Sequence, residues 1–267
     1  MEHGKSTTIK IMCGILTPDS GICEINGLIP YKSRKEYVKD IGVVFGNRSA
    51  LSWDVPVEDS FELMKEIYDI PDAKYKKQKD MLTQMLNIGE IIKTPTRQLS
   101  LGQRMRCEIA TAFLHDPKIV FLDEPTIGLD SISKIAVRDF IKHINKEKHT
   151  TIILTTHDTG DIEALTKRVI LIGKGKLLLD GSFNSLTKKY SKKILDVKYK
   201  GKLQEIPLGM QILEQTLDEA KLEIDERKIK LDEAIVFLSN KLDIQDLDIQ
   251  NTAIDDVVAN LYKEYQI

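Results

Sequence analysis

Short stretches of this sequence carry side chains able to bind and cleave a phosphate. Gly4, Lys5, Ser6 and Thr7 stand where a loop passes into a helical pattern over residues 6–13, which Gly14 stops. A helix N-terminus presents unpaired N–H groups and a partial positive charge, so it suits an anion. Gly4-Lys5-Ser6 matches the end of the phosphate-binding pattern G-x-x-x-x-G-K-[ST]. In that pattern Lys5 would reach the β- and γ-phosphates, the Ser6 hydroxyl would bind Mg2+, and Thr7 would touch a phosphate oxygen. Taken alone, so short a match also arises by chance.

A second stretch, IVFLDEP at residues 119–125, is an apolar run that ends in two adjacent acids. The plain alternative is a pair of surface turn carboxylates. The C-terminal ends of strands in a parallel sheet are, however, where ligands bind. There Asp123 would hold Mg2+ through a water and Glu124 would act as general base on the attacking water. His157 follows another apolar run, TIILTT, and at the same sheet end could reach a γ-phosphate. His3, His115, His143 and His149 lack that placement and read as surface or local-contact residues. The fourth stretch, LSLGQ, runs from Leu99 through Ser100, Leu101 and Gly102 to Gln103 and leads into a helix-like segment. As bare chemistry Ser100 is an N-cap, and Gly102 permits close backbone approach.

The surrounding pattern alternates helices and strands. Strands are expected at residues 22–26, 40–45, 118–123 and 151–156. Helices are expected over most of 58–115, at 133–147 and at 161–165, and a hairpin pairs 169–172 with 176–179 around a turn at 173–175. Strands separated by helices predict a mainly parallel sheet with helices on its faces. Composition shifts near residues 182–193. Beyond that, a hairpin of 222–224 with 229–231, helices at 234–242 and 253–265 and a strand at 246–249 predict a small α+β appendage.

Bulk properties narrow the function classes. Hydrophobic residues make up 42% and charged residues 30% of 267, the balance of a globular chain that buries a core. A net charge of −2 does not suit a nucleic-acid coat, so no nucleic-acid partner is expected. The basic clusters near residues 74–79 and 188–193 read as solvated faces. Cys13, Cys23 and Cys107 are scattered, which indicates neither a zinc site nor a disulfide framework. No apolar run approaches the ~20 residues that span a bilayer, so any membrane role needs a partner.

In this order and spacing, the four stretches resemble the ATP-binding-cassette (ABC) ATPases, over residues 1–182. GKST stands at the phosphate loop, LSLGQ in place of the signature LSGGQ, LDEPTIGLD as Walker B with the D-loop, and TTHD at the switch histidine. The resemblance implies a P-loop NTPase (RecA-like) α/β fold with a helical subdomain at 57–117, followed by an accessory α+β domain at 183–267. It implies ATP and Mg2+ as ligands. It also implies a head-to-tail homodimer in which Ser100, Gly102 and Gln103 serve the γ-phosphate in trans and Asp130 of the D-loop crosses the interface. Residues 43–56 look like the Q-loop, which touches the membrane subunit. A tryptophan there, with the appendage, is similar to drug- and sodium-extruding exporters that have ABC-2-type permeases; core packing is the other reading of Trp53. The expected location is cytoplasmic, peripheral at the inner face of the cell membrane.

Three departures from the family pattern stand out. Asn47 takes the Q-loop glutamine position and is one methylene shorter. Leu101 replaces a signature glycine. The strands that precede the phosphate loop in the family are not present before Met1, so an N-terminally truncated chain is expected. Two alternatives to an exporter ATPase follow: a catalytically impaired remnant, or a soluble ABC protein of translation or DNA repair.

Overall fold

The computed structural model describes residues 4–46, 48–183 and 192–252. The chain divides into two compact units, one of Met1–Thr166 with Ile172–Leu177 and the other of Lys167–Leu171 with Leu178–Ile267.

In the first unit, β1 (Ile41–Phe45), β2 (Ile119–Asp123) and β3 (Thr151–Thr155) form a parallel sheet in the order β1-β2-β3. Its register sets Phe45 opposite Asp123 and Asp123 opposite Thr155, so the three C-terminal ends lie level. Every residue of β2 is buried, as its unbroken apolar run predicts. The equally apolar β3 is only half-buried, because among the described residues it pairs with β2 alone.

Before the sheet come α1 (Lys5–Met12) and the single turn α2 (Arg34–Tyr37). The Tyr37 hydroxyl donates to the Met12 carbonyl at 2.8 Å and ties the two together. Residues 22–26, expected as a strand, form no ladder. A single bridge joins Ile25 to Leu28 across Asn26 and Gly27, both at positive φ, and Ile22 is exposed. The alternation there marks a tight turn.

The helical stretch resolves into α3 (Val57–Ile67), α4 (Asp72–Met85) and α5 (Leu101–Phe113). Phe61, Leu82, Leu86, Ile109 and Phe113 pack with β2 and with Phe140 of α6 (Ser131–Lys148) into the main core. Phe113 and Phe140 meet edge-to-face, with ring centroids 5.0 Å apart. α5 runs so close to β1 that a Cβ on Gly42 would stand 2.3 Å from the Ala112 carbonyl oxygen. Helix α7 (Thr159–Leu165) follows β3, capped by the Asp158 side chain. The hairpin of β4 (Arg168–Gly173) and β5 (Lys176–Ser182) turns through Lys174 and Gly175, both at positive φ as a two-residue hairpin loop requires.

The second unit holds an antiparallel sheet in the order β7-β8-β6-β9, made of β6 (Lys193–Lys200), β7 (Met210–Gln215), β8 (Glu219–Ile224) and β9 (Asp243–Asn251). Helix α8 (Leu231–Lys241) packs Ala234 and Leu238 onto Leu195, Leu222 and Ile224. The expected 222–224/229–231 hairpin is corrected. β8 pairs with β7 and β6, while residues 225–229 turn through Asp225 into α8. The helix expected at 253–265 lies outside the described residues.

Candidate nucleotide-binding site

β2 ends at Asp123, and the next residue, Glu124, takes φ 55°, a left-handed conformation that is costly for a residue with a Cβ. The turn leaves Asp123 buried and aims the Glu124 carboxylate out of the sheet end at partial exposure. The Glu124 amide is held by Thr155, donating to its carbonyl at 3.1 Å and its hydroxyl at 3.2 Å.

α1 brings its first residues to the same end. Gly4 enters at φ 86°, which its lack of a Cβ permits. Lys5 Nζ then lies 3.5 Å from Glu124 Oε1 and 3.3 Å from the Thr156 carbonyl oxygen. Ser6 Oγ donates to Asp123 Oδ1 at 3.1 Å, and Thr155 Oγ1 donates to that same oxygen at 2.6 Å. His157 Nδ1 is 2.9 Å from Glu124 Oε2, with its ring largely exposed. Thus Lys5, Ser6, Asp123, Glu124 and His157 come together. Thr7 is exposed beside them on α1.

A second group gathers at the N-termini of α5 and α6. Ser100 is exposed and closes a capping box: its hydroxyl accepts from the Gln103 amide, and Gln103 Oε1 accepts from the Ser100 amide at 2.9 Å. Gly102 is buried, and a Cβ there would meet Ser133 Oγ at 2.4 Å and Asp130 Oδ2 at 3.1 Å. Asp130 caps α6 by accepting from the Ser133 amide at 2.9 Å, and these hydrogen bonds hold its carboxyl below the usual range. Leu101 is 42% exposed, so the bulk added at that signature position points outward.

Asn47 lies outside the described residues. The segment after it is anchored to α5 by Glu108, which accepts from the Ala50 amide at 3.0 Å and, in a short contact, from the Ser49 hydroxyl. Burial pushes the Glu108 carboxyl up. Trp53 is 53% exposed, with the Arg104 guanidinium 5.8 Å from its ring centroid, so the core-packing reading of Trp53 is overturned. Burial raises the Cys13 and Cys107 thiols to about 12, which leaves neither as a thiolate nucleophile.

Thr155, which donates to Asp123, and Thr156, which accepts from Lys5 and donates to Asp161, also belong to this framework, beyond the residues that the sequence singles out. The Thr-Thr pair directly before His157 was a visible signal. Asp161 gave none, because only packing shows that it points inward.

Among the described residues no helix is long and apolar enough to cross a membrane, and no three His, Cys, Asp or Glu side chains cluster as a metal cage. A hydroxyl and a carboxylate that share one spot still fit Mg2+. That ion prefers oxygen donors and is commonly held by one or two carboxylates together with substrate phosphates.

The profile of the family described as "ABC transporter" matches residues 3–127. The chain is 28% identical over 183 residues to the ABC transporter ATP-binding protein NatA of Bacillus subtilis, spanning 68% of this chain and 74% of that one. It is 31% identical over 222 residues to the bacitracin transport ATP-binding protein BcrA of Bacillus licheniformis, spanning 83% of this chain and 69% of BcrA. Other curated relatives are longer, and the chain spans 37% and 31% of two of them. The solved structure of cbiO1 from Clostridium perfringens, part of the ABC transporter complex cbiONQ, superposes with a TM-score of 0.61 at 28% identity, covering 70% of this chain and 78% of that one. The P-loop NTPase fold and the identity to BcrA at that coverage agree: this protein belongs to the family of ABC transporter ATP-binding proteins.

Proposed function

We propose that the chain is the Mg2+-dependent ATP-hydrolysing subunit of an exporter with a separate ABC-2-type membrane permease, working as a head-to-tail homodimer at the cytoplasmic face of the membrane. The observation that carries the catalytic part is the convergence of Lys5, Ser6, Asp123, Glu124 and His157 at one end of a parallel sheet. In this reading Lys5 neutralises the β- and γ-phosphates, and Gly4 and Thr7 line them. Ser6 and Asp123 hold Mg2+, which offsets phosphate charge when bound. Glu124 takes the proton from the attacking water, and His157 contacts the γ-phosphate. Ser100, Gly102, Gln103 and Asp130 serve the partner's nucleotide, and Asn47 takes the Q-loop glutamine position.

The domain limits belong to the same proposal: 1–182 for nucleotide, 57–117 within it as the helical subdomain, and 183–267 as accessory. Helices α3 to α5 fall inside 57–117, which supports that subdivision. The printed names of NatA and BcrA support a transport role, and the absence of a spanning helix among the described residues fits a separate permease.

The test is ATP-dependent phosphate release by the purified chain, with Mg2+ and with chelator, alongside Lys5→Ala. Release that needs both Mg2+ and Lys5 supports the reading. Nucleotide binding without release, or release indifferent to Lys5, overturns it. Co-purification of the tagged chain with a polytopic membrane protein tests the permease separately.

A further inference from the structure

Asp161 is a fully buried carboxylate on α7 that the mechanism above does not use. Its Oδ2 accepts a short hydrogen bond from Thr126 Oγ1 and one of 3.1 Å from Thr156 Oγ1. Its Oδ1 accepts from Arg138 Nε at 2.7 Å and pairs with the terminal guanidinium nitrogen at 2.6 Å. Thr126 lies two residues past Glu124, Thr156 directly precedes His157, and Arg138 comes from α6. One carboxylate therefore joins the turn bearing Glu124, the loop bearing His157 and a rigid helix.

The far side of His157 is fixed by the same group of residues. Asp158 donates its amide to Thr156 Oγ1 at 2.9 Å. Its carboxylate pairs with Lys134 at 2.5 Å and with Arg138 at 3.3 Å. Of the two neighbours of His157, Asp158 is thus pinned to α6 directly and Thr156 through Asp161, while the ring itself stays exposed. Thr156 also presents its carbonyl to Lys5. Apolar packing of equal volume generally stabilises a core at least as well as a buried ion pair, so stability is a poor account of this node. A set of directional bonds among three elements that meet at the phosphate site supplies position instead.

The geometry points to Asp161 as a positioning residue for ATP hydrolysis: it holds the His157 loop against the Glu124 turn and so sets the contact between the two. This rests on the ATPase reading above. The reactive groups lie within hydrogen-bond reach of one another, and misplacement of about 1 Å at such a site can cost on the order of 100-fold in rate.

Asp161→Asn removes the charge at constant size. It is expected to lower kcat about 10- to 100-fold at unchanged KM for ATP, and to lower it no further in a His157→Ala background. Thr156→Val, which removes only the hydroxyl, is expected to act in the same direction, and Thr156→Ser to restore activity. These two decide the matter if Asp161→Asn does not fold. Undiminished kcat in folded Asp161→Asn, or a loss that adds fully to that of His157→Ala, overturns the assignment. A readout free of turnover is the pair of imidazole nitrogen NMR shifts of His157, identified by their loss in His157→Ala. They are expected to move in Asp161→Asn and Thr156→Val and to stay in Thr156→Ser. Unmoved shifts in all three overturn the positioning role. A chain without phosphate release but with these shifts moved refutes the ATPase reading and keeps the positioning claim.

Discussion

His157 Nδ1 stands 2.9 Å from one oxygen of the Glu124 carboxylate, and the Lys5 ammonium stands 3.5 Å from the other. Glu124 is thereby held between two cationic or hydrogen-donating groups from distant parts of the chain, at the end of a buried strand. Replacing it with glutamine keeps the shape and removes the proposed base. Glu124→Gln is expected to reduce phosphate release by at least ~100-fold, the usual scale of a general base, while ATP binding persists. Phosphate release measured beside binding of a fluorescent ATP analogue checks this, and undiminished release refutes the assigned base.

In the proposed dimer Ser100 has two separable duties: its hydroxyl caps α5, and its exposed position is to serve a second subunit's nucleotide. Ser100→Ala is expected to cost about 1 kcal/mol of stability through loss of the cap. Ser100→Asp retains a capping oxygen, so its denaturation midpoint should stay close to that of the unchanged chain. Its added negative charge would repel the γ-phosphate and abolish ATP-induced dimerisation of the Glu124→Gln chain. Gel filtration with ATP reads the outcome, and an aspartate variant that dimerises normally removes Ser100 from the trans site.

His115 carries a pH signature. It is stacked on Tyr68 at 3.9 Å between ring centroids, with Nε2 2.9 Å from the Ile41 carbonyl oxygen, and burial pushes its imidazole down to about 4. The unfolded chain takes up this proton near pH 6.5. Between the two values the unfolded state binds more protons, so stability rises with pH there. The contribution is complete above about 6.5 and is lost as pH falls toward 4, by at most about 3 kcal/mol. Urea denaturation at several pH values, compared with His115→Gln, isolates the effect. Parallel stability curves for the two proteins from pH 4 to 6.5 would contradict it.

Gly42 lets β1 lie against α5. The Cβ of an alanine there would stand 2.3 Å from the Ala112 carbonyl oxygen and 3.2 Å from Pro117 Cγ. Neither the helix backbone nor the strand can yield without opening the core, so Gly42→Ala should cost about 1–3 kcal/mol. An unchanged urea midpoint would show that the two elements are not in tight contact.

Much of the site was legible because it lies at element ends, where residue types have local causes. Lys5 and Ser6 follow a glycine at a helix start, Asp123 and Glu124 end an apolar run, and Ser100 is an N-cap before a helix-like segment. Each signal spans a few residues, so the chain order alone reveals it. The edges of that legibility are instructive. Alternation at residues 22–26 looked like a strand, but Asn26 and Gly27 close a turn before any partner can pair. The inward alternation of Leu195, Val197 and Tyr199 in β6 is hidden because Asp196 and Lys198 stand between them and Lys193 and Lys200 flank them.

What tertiary structure alone decided is which distant side chains share a point in space. The sequence named Lys5, Asp123, Glu124 and His157, but only the register Phe45–Asp123–Thr155 brings the ends of β2 and β3 level, and only the packing of Ile9 of α1 with Ile119 and Phe121 sets Ser6 on Asp123 across 117 positions. Asp161 looks like any surface acid of a short helix until α6, the Glu124 turn and the His157 loop close over it. Local pattern fixes what a residue can do within a turn or two of backbone. The burial of a charge, and the partners that compensate it, depend on contacts between elements that no short stretch of sequence encodes.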